Sequence, residues 1–132
     1  MTWDISRENG TELVLQDVLA VYLSSGLGDR RPVADTDRMA AMVRNANLVI
    51  TCRIDGELVG IARSVSDFAY VTYLSDIAVS RAHQRCGIGR ALIDATRKEA
   101  PRAKIVLLSA PAAAEYYPYV GFTRHGSAWV LN

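Results

Sequence analysis

Gln84-Arg85-Cys86-Gly87-Ile88-Gly89 lies between an apolar, strand-like run, Tyr73 to Val79, and a helix-like run, Arg90 to Ala100. Glycines let a backbone turn tightly without a Cβ in the way, and the free N–H groups and dipole of a first helical turn favour negative charge. The hexamer therefore reads as an anion cradle for a phosphate or pyrophosphate. A Walker loop would need Gly-Lys-Ser/Thr, and here Gly89 is followed by Arg90 and Ala91. A dinucleotide fingerprint would need a third small residue where Leu92 stands. The strand-loop-helix step implies a parallel crossover to the next strand, and the Ile-Val-Leu-Leu run within Lys104 to Ser109 supplies one.

The elements on either side complete the pattern. Thr2 to Glu8 alternates as an edge strand and Asn9-Gly10 turns the chain. Leu15, Val18, Leu19 and Tyr22 recur at helical spacing, with Thr11 as the expected N-cap and Gly26 and Gly28 at the end. Asp35 opens a second helix whose Met39, Met42 and Val43 share a face. Leu48 to Ile54 and Glu57 to Val65 are strands joined by Asp55-Gly56, a strong hairpin signal. Ala69 to Val79 reads as a central strand covered on both sides. Pro111 starts a short helix ending by Gly121, and Phe122 to Leu131 is expected to give one or two final strands.

A chain of 132 residues is expected to form one domain, residues 1–132. The net charge of +1 gives no global attraction to nucleic acid or a membrane. Charge is uneven locally: 13 of the 15 basic residues are arginines, and Arg81, His83, Arg85 and Arg90 surround the glycine loop. Cys52 and Cys86 lack zinc-type spacing and read as free thiols, so no metal is expected. The start, Met1-Thr2-Trp3-Asp4, has no basic-then-apolar leader, and no apolar run approaches the ~20 residues of a membrane span. A cytoplasmic protein is expected.

Three segments together resemble the GNAT family of acyl-CoA-dependent N-acyltransferases over nearly the whole chain. They are Leu74-Ser75-Asp76-Ile77-Ala78-Val79, the loop Gln84 to Gly89 continued by Arg90-Ala91-Leu92, and Tyr116-Tyr117-Pro118-Tyr119-Val120-Gly121-Phe122. The second is similar to the family's Arg/Gln-x-x-Gly-x-Gly/Ala loop and the third to its aromatic-Tyr-x-x-x-Gly-Phe signature. The resemblance implies an α/β (α+β) fold with a mixed, mostly antiparallel sheet, splayed between strands 4 and 5 to admit acetyl-CoA. It implies that Ile77, Ala78 and Val79 meet the pantetheine arm through their backbone. It also implies that Arg85, Cys86, Gly87, Ile88, Gly89 and Arg90 hold the pyrophosphate, with Gln84 fixing the start of the loop.

By the same resemblance Tyr117 protonates the departing thiolate, a task suited to a phenol that stays protonated at neutral pH. Two departures stand out. Pro118 follows Tyr117 and would push it out of the helical region, making Tyr119 a reserve acid, and Ala110 stands where the family often has an asparagine. Tyr116 and Phe122 read as core. The implied reaction is direct attack by a neutral amine in a ternary complex, so a base or water chain is required. Asp76, an aspartate inside a strand, is the candidate base, with a structural arginine partner as its alternative role. The acceptor is a small-molecule or peptide amine in a pocket for which Tyr22, Met39, Met42 and Trp129 offer only an apolar lining, and a homodimer is expected. Competing readings are an acyl-CoA-binding regulatory module without turnover and a nucleotide hydrolase, the latter opposed by the missing Lys-Ser/Thr.

Overall fold

The computed structural model of the chain describes residues 2–132. One sheet runs in the order β1 (Asp4–Glu8), β2 (Leu48–Ile54), β3 (Glu57–Ser66), β4 (Val71–Val79) and β5 (Lys104–Val106). The first three ladders are antiparallel and the last, β4 with β5, is parallel. Helices α1 (Leu15–Ser25) and α2 (Thr36–Asn45) cover one face. The other face carries α3 (Ile88–Glu99) and the short α4 (Tyr116–Tyr119). This is the mixed, mostly antiparallel α/β fold expected from the sequence.

Local chemistry accounts for most boundaries. Asp55 and Gly56 take left-handed φ values of 50° and 83°, the geometry a two-residue hairpin needs to match strand twist. Asp35 caps α2 by accepting the Arg38 N–H at 3.1 Å, and Gly26 at φ 93° ends α1. Alternating strand residues feed two cores. Val49, Ile61 and Ala78 join Val18, Tyr22, Met39 and Val43 under α1 and α2, while Leu48, Ile50, Val59 and Leu74 join Ile88, Leu92 and Ile93 under α3. Burying a side chain such as Leu92 contributes about 2 kcal/mol. Gly60 lets α3 settle on β3, because a Cβ there would lie 3.2 Å from Ile88 and 3.3 Å from both Cys52 and Leu92.

Several expectations are corrected. Thr11 does not cap α1; Asn9 holds its N–H and hydroxyl in a 3-10 turn, Gly10–Glu12, and α1 starts after Val14 without a side-chain cap. The turn forms early because Gly10 docks on α2, where a Cβ would collide with the Val43 carbonyl. The run Lys104 to Ser109 pairs only as far as Val106. Phe122 to Leu131 forms no strand, and among the described residues no backbone group of residues 123–132 bonds another backbone group. With β5 so short, Trp129 remains 92% exposed and Leu131 99% exposed.

Candidate active site

The two strands that resemble the donor site part early. Their ladder holds Val71, Thr72 and Tyr73 of β4 against Lys104, Ile105 and Val106 of β5, so β4 from Leu74 to Val79 has no neighbour on that side. Within this stretch the β3 register jumps from Arg63↔Asp76 to Ser64↔Leu74, which leaves Ser75 as an extra, bulged residue. The bulge turns Leu74 into the α3 core and Ala78 toward α1, so the two residues lie on opposite faces of the sheet. Ile77 and Val79 lie on the α3 side, bordering the open edge of β4.

At the end of that edge the glycine loop leads into α3. Arg85 and Gly87 adopt φ values of 62° and 89°, and Gly87 precedes α3 with no side-chain cap. The N–H groups of Ile88, Gly89 and Arg90 have no backbone partner among the described residues, so the first turn presents free donors at the positive end of the helix. Gln84 donates its amide to the Val79 carbonyl at 2.9 Å and to the Ser25 carbonyl at 3.5 Å, tying the loop to β4 and to α1. Arg81, Arg85 and Arg90 are exposed around it. The Cys86 thiol is exposed and turned to the Gln84 carbonyl at 3.4 Å.

Tyr117 stays helical despite Pro118, because the proline falls in the first turn of α4, where its missing N–H has no intrahelical partner to lose. Its ring packs edge-on against Phe122 at 5.5 Å and Tyr116 at 5.3 Å, and burial pushes its phenol up from the ordinary value. Tyr116, expected in the core, is instead 37% exposed. Its hydroxyl occupies the space over Gly89, 3.0 Å from where a Cβ would be. Tyr119 is 79% exposed at the surface. Ala110 precedes a single 3-10 turn, Pro111–Ala113.

Asp76 lies at the centre of a buried cluster that the sequence reading anticipated only as an unnamed arginine partner. Its Oδ1 accepts Arg31 Nε at 2.6 Å, and its Oδ2 accepts Arg63 Nε and the Tyr22 hydroxyl, each at 2.6 Å. Burial opposes the charge on Asp76, but bonds and attraction from Arg63, followed by Tyr22 and Arg31, outweigh it and hold the carboxyl below the usual range. Burial and then the Asp76 charge push the Tyr22 phenol up. Both arginines also reach the bulge: Arg31 donates to the Ser75 carbonyl and Arg63 to the Ser75 hydroxyl, each at 2.8 Å. The Ser75 hydroxyl adds a fourth, longer bond to Oδ1 at 3.3 Å, and a carboxylate held by four donors is a weak proton acceptor, which fits the structural alternative better than the base. Arg63 was the overlooked signal, since an arginine inside a buried strand needs an acid opposite it. Tyr22 and Met39 are core residues and Trp129 is solvent-exposed, so the expected apolar acceptor lining does not assemble.

The sequence matches the family model for the acetyltransferase (GNAT) domain over residues 27–131. Solved structures agree in fold. A probable acetyltransferase of meticillin-resistant Staphylococcus aureus superposes with TM-score 0.79 at 17% identity, covering 99% of this chain and 100% of the other. A GNAT family protein of Streptococcus pneumoniae gives 0.76 at 18% identity, covering 98% of each chain. An aminoglycoside N-acetyltransferase in complex with CoA gives 0.73 at 17% identity, covering 99% of this chain and 94% of the other. The open edge of β4, the capless loop before α3 and a family match spanning most of the sequence lead to one assignment: this chain is an acetyltransferase of the GNAT family.

Proposed function

We propose that the protein transfers an acetyl group from acetyl-CoA to a primary amine, with both substrates bound together. The observation that carries this reading is the juxtaposition of a β4 edge free from Leu74 to Val79 with the unpaired N–H groups of Ile88, Gly89 and Arg90. The fit is chemical: a pantetheine amide matches a strand edge, and a pyrophosphate matches a helix N-terminus rimmed by arginines. Acetyl-CoA would supply the activated thioester. In this reading Ile77, Ala78 and Val79 align it, and the loop from Gln84 through Arg85, Cys86, Gly87, Ile88 and Gly89 to Arg90 anchors its far end. The Ile77 N–H is the proposed partner for charge on the carbonyl oxygen. Tyr117, kept protonated by burial, is the proposed donor to the leaving sulfur. Of the two candidate bases, Asp76 and a chain of ordered water, the engagement of Asp76 by its donors favours the water.

A structure of this fold from an uncultured soil metagenomic sample, an aminoglycoside acetyltransferase, was solved with sisomicin; this supports a small-molecule acceptor here, while the charge that this acceptor carries follows from the chain's own residues. We assign one domain, a cytoplasmic setting consistent with the free thiols of Cys52 and Cys86, and a homodimer. The open outer edge of β5 supports the dimer; the groove of about 680 Å³ beside it is of mixed character, with Ile105, Val120 and Phe122 next to Asp94, Arg97, Lys98 and Lys104. The engagement of Asp76 by Arg31, Arg63 and Tyr22 favours one rival, an acyl-CoA-binding module without turnover. Titration calorimetry with acetyl-CoA, followed by a thiol-release screen over amines, separates the two. Tight binding with no release from any amine would leave only the module.

A further inference from the structure

We infer that the acceptor is a small amine bearing a carboxylate, of the free amino acid class, and that Arg31 is the residue that selects it. This rests on the transferase reading above. The cluster beneath the bulge contains two guanidinium groups, Arg31 and Arg63, against the single carboxylate of Asp76, with Tyr22 as a phenol. No other carboxylate lies within ion-pair distance of either arginine among the described residues, so one positive charge is left over. It sits at the point where β4 leaves β5, because both arginines hold Ser75.

The two guanidinium groups differ in access. Arg63 is 9% exposed, whereas Arg31 is 21% exposed on the segment between α1 and α2. Arg31 donates to Asp76, to Ser75 and to the Arg30 carbonyl, which occupies three of its five N–H groups. Two of its N–H groups therefore have no partner among the described residues, and the Asp76 that it holds is shared with Tyr22 of the α1 layer, on the face of the sheet opposite α3. The donor cradle lies on the α3 side, so an amine approaching the parting strands from the other face meets Arg31. A carboxylate beside the amine answers both the charge and the planar donors, while a polycation is repelled.

The test compares free amino acids with their amides and with polyamines in the thiol-release assay, using the intact enzyme. The expected result is a kcat/KM for the acids at least about tenfold above that of the matching amides, with polyamines poorer still. In Arg31→Gln, KM for the acid should rise about tenfold, the preference over the amide should vanish, and KM for acetyl-CoA should hold. Arg31→Lys should recover part of the preference. Equal rates for acid and amide, or preferred polyamines, would overturn the inference while leaving the transferase reading intact. If acetyl-CoA fails to bind, both fall together. The acid-amide comparison needs no variant, so a poorly folding Arg31→Gln does not weaken the test.

Discussion

At the residue scale, Asp76 shows how one position can be noticed in the sequence with two roles left open. An aspartate in a central strand announces chemistry or an ion pair, and only the geometry of Arg31, Arg63 and Tyr22 decides between them. Nothing in the sequence places Arg31, 45 residues away, on the same carboxylate. Removing the charge in Asp76→Asn leaves two arginines uncompensated and should cost about 3 kcal/mol, on the order of a 10 °C fall in melting temperature. The carboxyl is held low in the folded state, so its contribution is present above the unfolded value near ~4 and is lost as pH falls through the folded one. Thermal melts between about pH 2 and 6 should therefore show a steeper acid loss in wild type than in Asp76→Asn. Tyr117→Phe is expected to lower kcat about a hundredfold with KM for acetyl-CoA unchanged. Because the Tyr117 phenol is raised, the alkaline limb of wild-type kcat should lie above ~10 and disappear in the variant.

At the scale of the element, the hairpin at Asp55-Gly56, α2 behind Asp35 and the loop ahead of α3 were legible because each is set by local backbone chemistry. The bulge was not. An unpaired Ser75 is fixed by contacts from β3 and from the segment before α2, so its signal is spread over residues distant in sequence. Gly60 and Gly89 are tests of packing at the two ends of this machinery. Gly60→Ala overfills the contact with Ile88, Cys52 and Leu92 and should cost about 1–3 kcal/mol in denaturant unfolding. Gly89→Ala should behave differently. The Tyr116 hydroxyl can swing away, so stability should change by less than about 1 kcal/mol while calorimetry records at least a tenfold weaker acetyl-CoA affinity.

At the scale of the whole molecule, the mixed, mostly antiparallel sheet with a parallel crossover through α3 followed from the sequence, and the C-terminal strands did not. Trp129, Val130 and Leu131 have a strand's composition but no ladder, since composition cannot supply a partner edge. If a second copy provides that edge, deleting residues 127–132 should convert the dimer to a monomer in sedimentation velocity. A monomeric full-length chain would remove the homodimer from the proposal. The two tryptophans give this question an optical dimension. Trp3 packs against the α3 core with its ring 4.0 Å from a Cβ built on Gly87, and Trp129 stands in water. Their emission should therefore report separately on the two halves of the enzyme's work: Trp3 on occupancy of the glycine loop, and Trp129, by a blue shift on concentration, on the meeting of two chains.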